Sequence, residues 1–168
     1  HGVEVRRPDI NLSDAAATLE TTPATRHRSE EGEPPHGWGL GGPAVRQGLS
    51  TVRTLGSDLA EAIEDERRAN GPYLDMTDLA RRTGCSTAHL EALATADAFA
   101  GFGLSRREAL WAAGAAAQDK PDKLPGTVVG TDAPTLPGMG DVDKLIADVW
   151  ATGLSPDDAH ALAERVRA

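Results

Sequence analysis

The chain has 168 residues and a formal net charge of −9 at pH 7, with 39% apolar but only 4% aromatic residues. This length suits one ordinary domain or two small ones, and the acidity argues against a protein that coats nucleic acid by bulk charge. No apolar run is long enough to cross a bilayer and no signal peptide is visible, so we expect a cytoplasmic protein without membrane contact. The one cysteine, Cys85, excludes an internal disulfide and a cysteine-based metal cluster.

Residues 1–20 predict two short strands, near residues 3–5 and 17–20, joined by a Pro-Asp-Ile-Asn turn. Two such strands cannot form a stable sheet by themselves. Residues 21–43 are rich in Pro, Gly, Glu and Thr and predict a flexible loop. The loop contains "GWGLGG", which looks like a phosphate-binding glycine loop but lacks the preceding strand and following helix that such a loop needs.

Residues 44–118 predict a compact all-α unit of four or five short helices. An extended start and a helical turn lead to Gly56. The first long helix follows, with Ser57 or Asp58 as its cap and Gly71 as its end. In the next helix we expect Thr77 as the cap and Gly84 as the terminator.

Two further helices complete this unit. The first of them, "STAHLEALATADAF", points Leu90, Leu93 and Ala94 inward. The second begins after Ser105, with Glu108 at the spacing of a capping box.

The rest of the chain divides into a linker and a helical segment. Residues 119–140 are rich in Pro, Gly and Asp and predict a second flexible linker. Residues 141–168 predict a helix with Leu145, Ile146 and Val149 on one face, then a terminal helix after Ser155-Pro156.

The stretch "FAGFGLSRR" in the second half of the helical unit combines Gly101, Gly103, Ser105, Arg106 and Arg107. Glycine allows a tight reversal and a close backbone approach, and the following helix directs free N–H groups outward. An anion can bind to such donors without a large basic patch, and arginine adds a bidentate phosphate contact. The same chemistry also serves a plain turn between helices, so both interpretations stay open.

The stretch "RTLGSD" at residues 53–58 has the same arrangement in weaker form. Gly56 and Ser57 would supply the turn and backbone donors, and Arg53 is the nearby cation. Asp58 stands where an anion would approach, so it would weaken phosphate binding at this turn.

Other candidate chemistry is weaker. The five histidines lack metal-ligand spacing, and Cys85 with His89 is a helix-surface coincidence rather than a catalytic pair. The "EDE" run at residues 64–66 is interpreted as a solvated helix face. We therefore predict no catalytic residue, no metal ligand and no cofactor in this chain.

Several segments together resemble the C-family bacterial DNA polymerases, the polymerase III alpha-subunit group, and within it the error-prone paralogue used in damage-induced mutagenesis. The resemblance is carried by "HGVEVRRPDIN" with "ATLE", by "AVRQGLSTVRTLGSDLAEAIEDERRANGPYLDMTDLARR", by "LEALATADAFAGFGLSRREALWAA" and by "LPGMGDVDKLIADVWATGLSP". These segments cover about three-quarters of the chain, and residues 21–43 look like a variable insertion.

The resemblance implies a fragment of a longer enzyme. Residues 1–20 would end the fingers region, residues 44–118 would form a tandem helix-hairpin-helix domain, and residues 141–168 would connect toward an OB-fold. The fold would be mainly α, with a short extended N-terminal piece and flexible linkers. Duplex primer–template DNA would be the partner, one phosphate held by "GFGLSRR" and another by Gly56 with Ser57.

The catalytic aspartates and the divalent metal, Mg²⁺, of the whole polymerase would lie outside this sequence. So would any contacts with a sliding clamp or with other subunits of a mutagenesis complex. Two alternatives remain: a helix-hairpin-helix module of another repair enzyme, and a module that binds a protein partner.

Overall fold

The structure, a computed structural model, describes residues 4–23, 43–116 and 137–155. In chain order its elements are β1 (Val5–Arg6), β2 (Thr18–Pro23), β3 (Pro43–Arg46), a 3-10 helix (Leu49–Thr51), α1 (Gly56–Asn70), α2 (Met76–Thr83), α3 (Thr87–Thr95), a second 3-10 helix (Ala100–Phe102), α4 (Arg106–Ala116) and α5 (Asp141–Thr152). The predicted mainly α fold with a tandem helix-hairpin-helix core is confirmed. One hairpin joins the first 3-10 helix to α1, the other joins α3 to α4, and α2 connects the two motifs. Most of the two predicted linkers and of the predicted terminal helix falls outside the described residues. The ends of the loop predicted at 21–43 are strand instead, since residues 21–23 belong to β2 and residue 43 begins β3.

The three strands form one small sheet. Its strand order is β1-β3-β2, with β1 parallel and β2 antiparallel to β3. The central strand, β3, supplies the third strand that the two N-terminal strands need for a sheet. Glu20 accepts hydrogen bonds from Arg46 and Arg6 across the sheet, and these bonds, that of Arg46 above all, lower the pKa of Glu20.

The turn after β1 is built into the helical unit. Ile10 is buried and its N–H donates to the Ala98 carbonyl at 3.0 Å. Arg67 of α1 donates to the carbonyls of Ile10, at 2.8 Å, and Ser13, at 2.6 Å. Because these bonds satisfy buried backbone groups, they fix the N-terminal piece against the helices.

The core is mainly aliphatic, as the scarcity of aromatic residues predicts, although Tyr73 and Phe99 are also buried in it. Leu90, Leu93 and Ala94 are buried, which confirms the predicted inner face of α3. The small side chains of Ala109 and Ala113, both buried in α4, allow α3 and α4 to pack closely.

The helix ends confirm some predictions and correct others. Gly71, with φ 85°, ends α1 and Gly84, with φ 71°, ends α2, both as expected. The predicted cap Thr77 is wrong: the cap is Asp75, two residues earlier, and its carboxylate accepts the Asp78 N–H at 2.7 Å. This start places Met76 in the core, and aspartate caps a helix at least as well as threonine.

The predicted cap of α1 is also wrong, because no side chain caps this helix. The side chains of Ser57 and Asp58 are exposed, and the Ser57 hydroxyl donates to Asp58 Oδ1 at 3.3 Å instead of to the helix end. The N-terminus of α1 therefore presents backbone groups rather than a capping carboxylate or hydroxyl.

Helix α5 is confirmed, but its predicted apolar face is not the one that packs. Ile146 and Val149 are 62% and 48% exposed, whereas Asp148 and Ala151 face the protein. The inward face carries Asp148, which pairs with the buried Arg106 and the partly buried Arg7. Hydrophobic periodicity cannot indicate such a pairing. None of the helices in the described ranges is both long and apolar enough to span a bilayer.

The titration of Tyr73, the one tyrosine of the chain, can be measured directly. It is buried, and its hydroxyl donates to the Ile63 carbonyl at 2.8 Å. Burial raises the pKa of Tyr73 to about 12, from an ordinary 10.0. We expect the tyrosinate absorbance of the folded chain to appear with a midpoint near that value and to move toward the ordinary value in denaturant.

The raised pKa of Tyr73 makes the stability of the folded chain depend on pH at alkaline values. The unfolded chain releases the phenolic proton first, so this group stabilises the folded chain fully below pH 10.0 and loses that contribution as the pH rises through about 12. Tyr73→Phe should lack this alkaline component. A folded chain that titrates at the ordinary tyrosine pKa would contradict the burial of the phenol.

Candidate nucleic-acid interface

The second hairpin reverses the chain between α3 and α4 through two left-handed residues. Asp97 has φ 65°, and Gly103 has φ 76° and ψ 14°. Gly103 is exposed, and a Cβ at this position would meet no atom of the described residues within 4 Å. The open space in front of Gly103 lets an external group come close to the backbone.

The predicted capping box at the start of α4 is confirmed. The Ser105 N–H donates to Glu108 Oε2 at 2.8 Å, and the Glu108 N–H donates to the Ser105 hydroxyl at 3.4 Å. The pKa of Glu108 is lowered, first by a hydrogen bond between its carboxylate and the Ser105 side chain and second by the bond from the Ser105 N–H. The amides of Arg106 and Arg107 lie in the first turn, where a helix supplies no backbone acceptor.

Gly101 has a packing role in this hairpin. A Cβ at this position would lie 2.8 Å from Asp9 Oδ2. Asp9 is held in place because its Oδ1 accepts the N–H groups of Asn11, at 2.8 Å, and Leu12, at 3.1 Å. The absence of a side chain at Gly101 thus lets the N-terminal piece approach the hairpin.

Arg106 points into the protein rather than toward solvent. Its side chain is 5% exposed, and its guanidinium donates to the Asp148 carboxylate and, at 3.0 Å, to the Lys144 carbonyl. Its Nε also lies 3.6 Å from Asp97 Oδ1. This placement does not suit the phosphate contact expected of Arg106, because the guanidinium already holds α5 against the hairpin.

Arg107 remains at the surface. It is partly exposed, and one guanidinium nitrogen donates to the Pro137 carbonyl at 2.9 Å. Since a guanidinium carries five N–H donors in a fixed fork, this contact leaves donors for an anion.

The first hairpin is also open at its tip. Thr54 has φ 79° and Gly56 has φ 73°, and a Cβ on Gly56 would meet nothing within 4 Å. Arg53 is exposed, but its Nε donates to the Trp150 carbonyl at 2.7 Å and its guanidinium lies 5.4 Å from the Trp150 ring centre. Arg53 thus contacts the end of α5, and Asp58 stays exposed in the first turn of α1.

Asp148 is the residue that sequence reasoning missed. It is 2% exposed, and it accepts hydrogen bonds from Arg7 at 3.2 and 3.0 Å and from Arg106. The bonded pairs are 141 and 42 residues apart in the sequence, so no local pattern could indicate them. The carboxylate joins the N-terminal piece, the second hairpin and α5 at one point.

Asp97 lies beside this cluster. Its side chain is 25% exposed, and its oxygens lie 3.6 Å from Arg106 and 3.9 Å from Arg7. Burial raises the pKa of Asp97 above its ordinary value, and the attraction of Arg106 and Arg7 only partly opposes this effect. The protein thus makes the charged form of Asp97 less favourable than it is for a carboxyl group in water.

The acidic run at residues 64–66 differs from its prediction. Asp65 is exposed, but Glu64 accepts the Ala15 N–H at 2.5 Å and Glu66 accepts a hydrogen bond from Arg82 at 3.0 Å. Through these contacts the run joins α1 to the N-terminal piece and to α2, so it is not simply a solvated helix face.

Cys85 and His89 have separate contacts, and Cys85 is buried between α2 and α3 rather than placed on a helix surface. Cys85 is buried beside the Thr83 hydroxyl, and burial raises the pKa of its thiol. His89 forms a capping box with Ser86. Across residues 4–23, 43–116 and 137–155, no three His, Cys, Asp or Glu side chains form a set of metal ligands.

The comparisons with known proteins agree with this geometry. The family described as "Helix-hairpin-helix motif" matches residues 2–109, and the chain belongs to this family. The match begins ahead of β1, which fits the way the N-terminal piece packs into the helical unit.

Three similar relatives are each named "Error-prone DNA polymerase". The chain is 50% identical to that of Mycolicibacterium paratuberculosis over 157 residues, 48% identical to that of Mycobacterium bovis over 157 residues, and 46% identical to that of Nocardia farcinica over 164 residues. These matches cover 93–94% of this chain but only 13% of each relative. The resemblance recognised from the sequence is confirmed, and the chain corresponds to about an eighth of the length of these relatives.

Proposed function

We propose that this chain is the part of an error-prone DNA polymerase that binds the sugar–phosphate backbone of duplex primer–template DNA. One observation carries the proposal. Gly56 and Gly103 are both exposed and left-handed, and among the described residues a Cβ at either would meet no atom within 4 Å. Each lies in the turn of one of the two hairpins, Gly56 at the start of α1 and Gly103 ahead of α4, whereas Gly84 lies between the two motifs. Two such hairpins would offer backbone donors to two phosphates.

Backbone donors explain how an acidic chain could bind DNA. At the second hairpin the open amides of the first turn of α4 and the side chain of Arg107 would hold one phosphate. At the first hairpin the amides beyond Gly56 would hold another, more weakly because of Asp58. Such binding requires positive potential only at the two hairpins and does not require a positive net charge of the chain.

Binding of this kind would be independent of base sequence and sensitive to salt. Because phosphate contacts do not examine bases, a polymerase using them could hold a duplex that contains a lesion. In this proposal, catalysis, divalent metal and nucleotide substrates belong to regions outside this chain.

The test compares two alanine substitutions with the same backbone cost. Gly103 has φ 76° and ψ 14°, and Gly84 has φ 71° and ψ 21°; both are exposed, and a Cβ at either would meet nothing within 4 Å. Each variant, Gly103→Ala and Gly84→Ala, should lose about 1 kcal/mol of stability. Only Gly103→Ala should weaken duplex binding, by about tenfold or more, which corresponds to one charge-assisted hydrogen bond.

The measurement is fluorescence anisotropy of a labelled mixed-sequence duplex, titrated with the whole chain at several salt concentrations. Equal affinities for the two variants would contradict the hairpin contact. Absence of duplex binding at low salt by a folded chain would overturn the proposal and favour a protein partner.

A further inference from the structure

A pocket of about 340 Å³ lies between the start of α4 and residues 137–139, which lead into α5. Four cationic side chains line it, and they come from three separate parts of the chain. They are Arg7 before the first turn, Arg106 and Arg107 of α4, and Lys144 of α5. Two of them, Arg7 and Lys144, belong to neither hairpin.

The charge of the pocket is unbalanced. Among its lining residues the one carboxylate is Asp97, against four cations. The buried Asp148, which does not line the pocket, neutralises part of this charge because it accepts hydrogen bonds from Arg7 and Arg106. The exposed Asp141 also neutralises part of the positive charge, since its Oδ1 lies 3.4 Å from Lys144 Nζ. The lining still carries more positive than negative charge.

The lining also divides into fixed and reachable cations. Arg106 is 5% exposed and forms part of the wall. Lys144 is 45% exposed, and among the described residues its ammonium pairs with the largely exposed Asp141. Arg107 uses one N–H group to donate a hydrogen bond to the Pro137 carbonyl. A ligand could therefore meet Lys144 and Arg107 without disturbing the buried ion pairs.

We propose that this pocket binds a phosphate group of a nucleic-acid strand, with Lys144 and Arg107 as its direct ligands and Arg7 and Arg106 supplying positive potential. This inference rests on the proposed function and extends the contact of the second hairpin onto α5. A phosphate accepts hydrogen bonds from both an ammonium and a guanidinium, and the volume admits one phosphate with part of its sugar. The phosphate belongs either to the interior of a strand or to a strand end.

The test uses one variant that removes a cation and one that removes the opposing anion. Lys144→Ala should weaken duplex binding about threefold to tenfold at low salt and reduce the slope of log affinity against log salt by about one. Asp97→Asn should strengthen binding by a few-fold, because it removes the acidic wall. Asparagine tolerates the left-handed backbone of Asp97, whose φ is 65°.

Arg68→Ala is the matched control. It removes one positive charge from a side chain that is 60% exposed in the last turn of α1, at the opposite end from Gly56. It should change affinity and slope much less than Lys144→Ala. Thermal unfolding checks that all three variants fold.

Two forms of one duplex, with 5′-hydroxyl and with 5′-phosphate ends, distinguish the sources of the phosphate. Effects that are equal on both forms identify an internal phosphate, and effects confined to the 5′-phosphate form identify a terminal one. If Lys144→Ala matches Arg68→Ala on both forms, the pocket proposal is overturned. The hairpin proposal then stands or falls separately by Gly103→Ala.

Discussion

Asp148→Ala is expected to lower the free energy of unfolding by about 3–5 kcal/mol, the usual cost of removing one partner from a buried ion pair. Asp148 is 2% exposed and Arg106 is 5% exposed, so the substitution leaves a buried guanidinium without its main carboxylate. Arg7 loses its two bonds to the same group. Since this carboxylate is the point where α5 meets the second hairpin, α5 should lose its protection from amide hydrogen exchange first.

Asp141→Ala serves as the control, because it removes the same charge from the same helix at a side chain that is 63% exposed. Its effect on stability should be small. A double variant, Arg106→Met with Asp148→Leu, should regain much of the loss, because apolar partners avoid the cost of burying charges. An unfolding transition of Asp148→Ala that coincides with that of Asp141→Ala would show that the cluster does not hold α5.

Gly48→Ala is expected to cost about 3 kcal/mol or more, at the upper end for overpacking a closed site. The cause is space rather than backbone strain, since Gly48 has an ordinary extended conformation, φ −77° and ψ 155°. A Cβ there would lie 2.4 Å from the Ala16 carbonyl carbon and 2.5 Å from the Ala15 oxygen. Both are backbone atoms that cannot turn aside as a side chain can.

The clash would separate two segments that are joined by hydrogen bonds. The Leu49 N–H donates to the Asp14 carbonyl and the Ser50 N–H to the Ala15 carbonyl, each at 2.9 Å. The melting temperature should therefore fall by roughly 10 °C or more.

Gly114→Ala is the control for Gly48→Ala. It adds the same methyl group within α4, where a Cβ would meet nothing within 4 Å. There alanine should stabilise the helix by about 0.5–1 kcal/mol. A Gly48→Ala variant as stable as the unaltered chain would contradict the close packing of the N-terminal piece on the helical unit.

The arginine pairs show how far sequence reasoning reaches. The sequence indicates that Arg67-Arg68, Arg81-Arg82 and Arg106-Arg107 are local basic pairs. In each pair one member is turned inward: Arg67 to the carbonyls of the N-terminal turn, Arg82 to Glu66 and Asp78, and Arg106 to Asp148. Which member turns inward depends on partners outside the pair, most of them distant in the chain, so the pair itself could not reveal it.

By itself the sequence determined the features that depend on neighbouring residues. Gly71 and Gly84 end their helices and Ser105 with Glu108 forms a capping box, because these features need only a few consecutive residues of the right type. The spacing of apolar residues likewise determined the inner face of α3 at Leu90 and Leu93.

Only the tertiary structure decided the features that join distant residues. It paired β3 with the two N-terminal strands, placed Gly48 against the backbone of Ala16, and turned Asp148 rather than Ile146 inward. The physical reason is the same in each case. A buried charge or buried backbone group needs a hydrogen-bond or ion-pair partner. The packing of the whole chain, rather than local periodicity, determines which partner lies beside it.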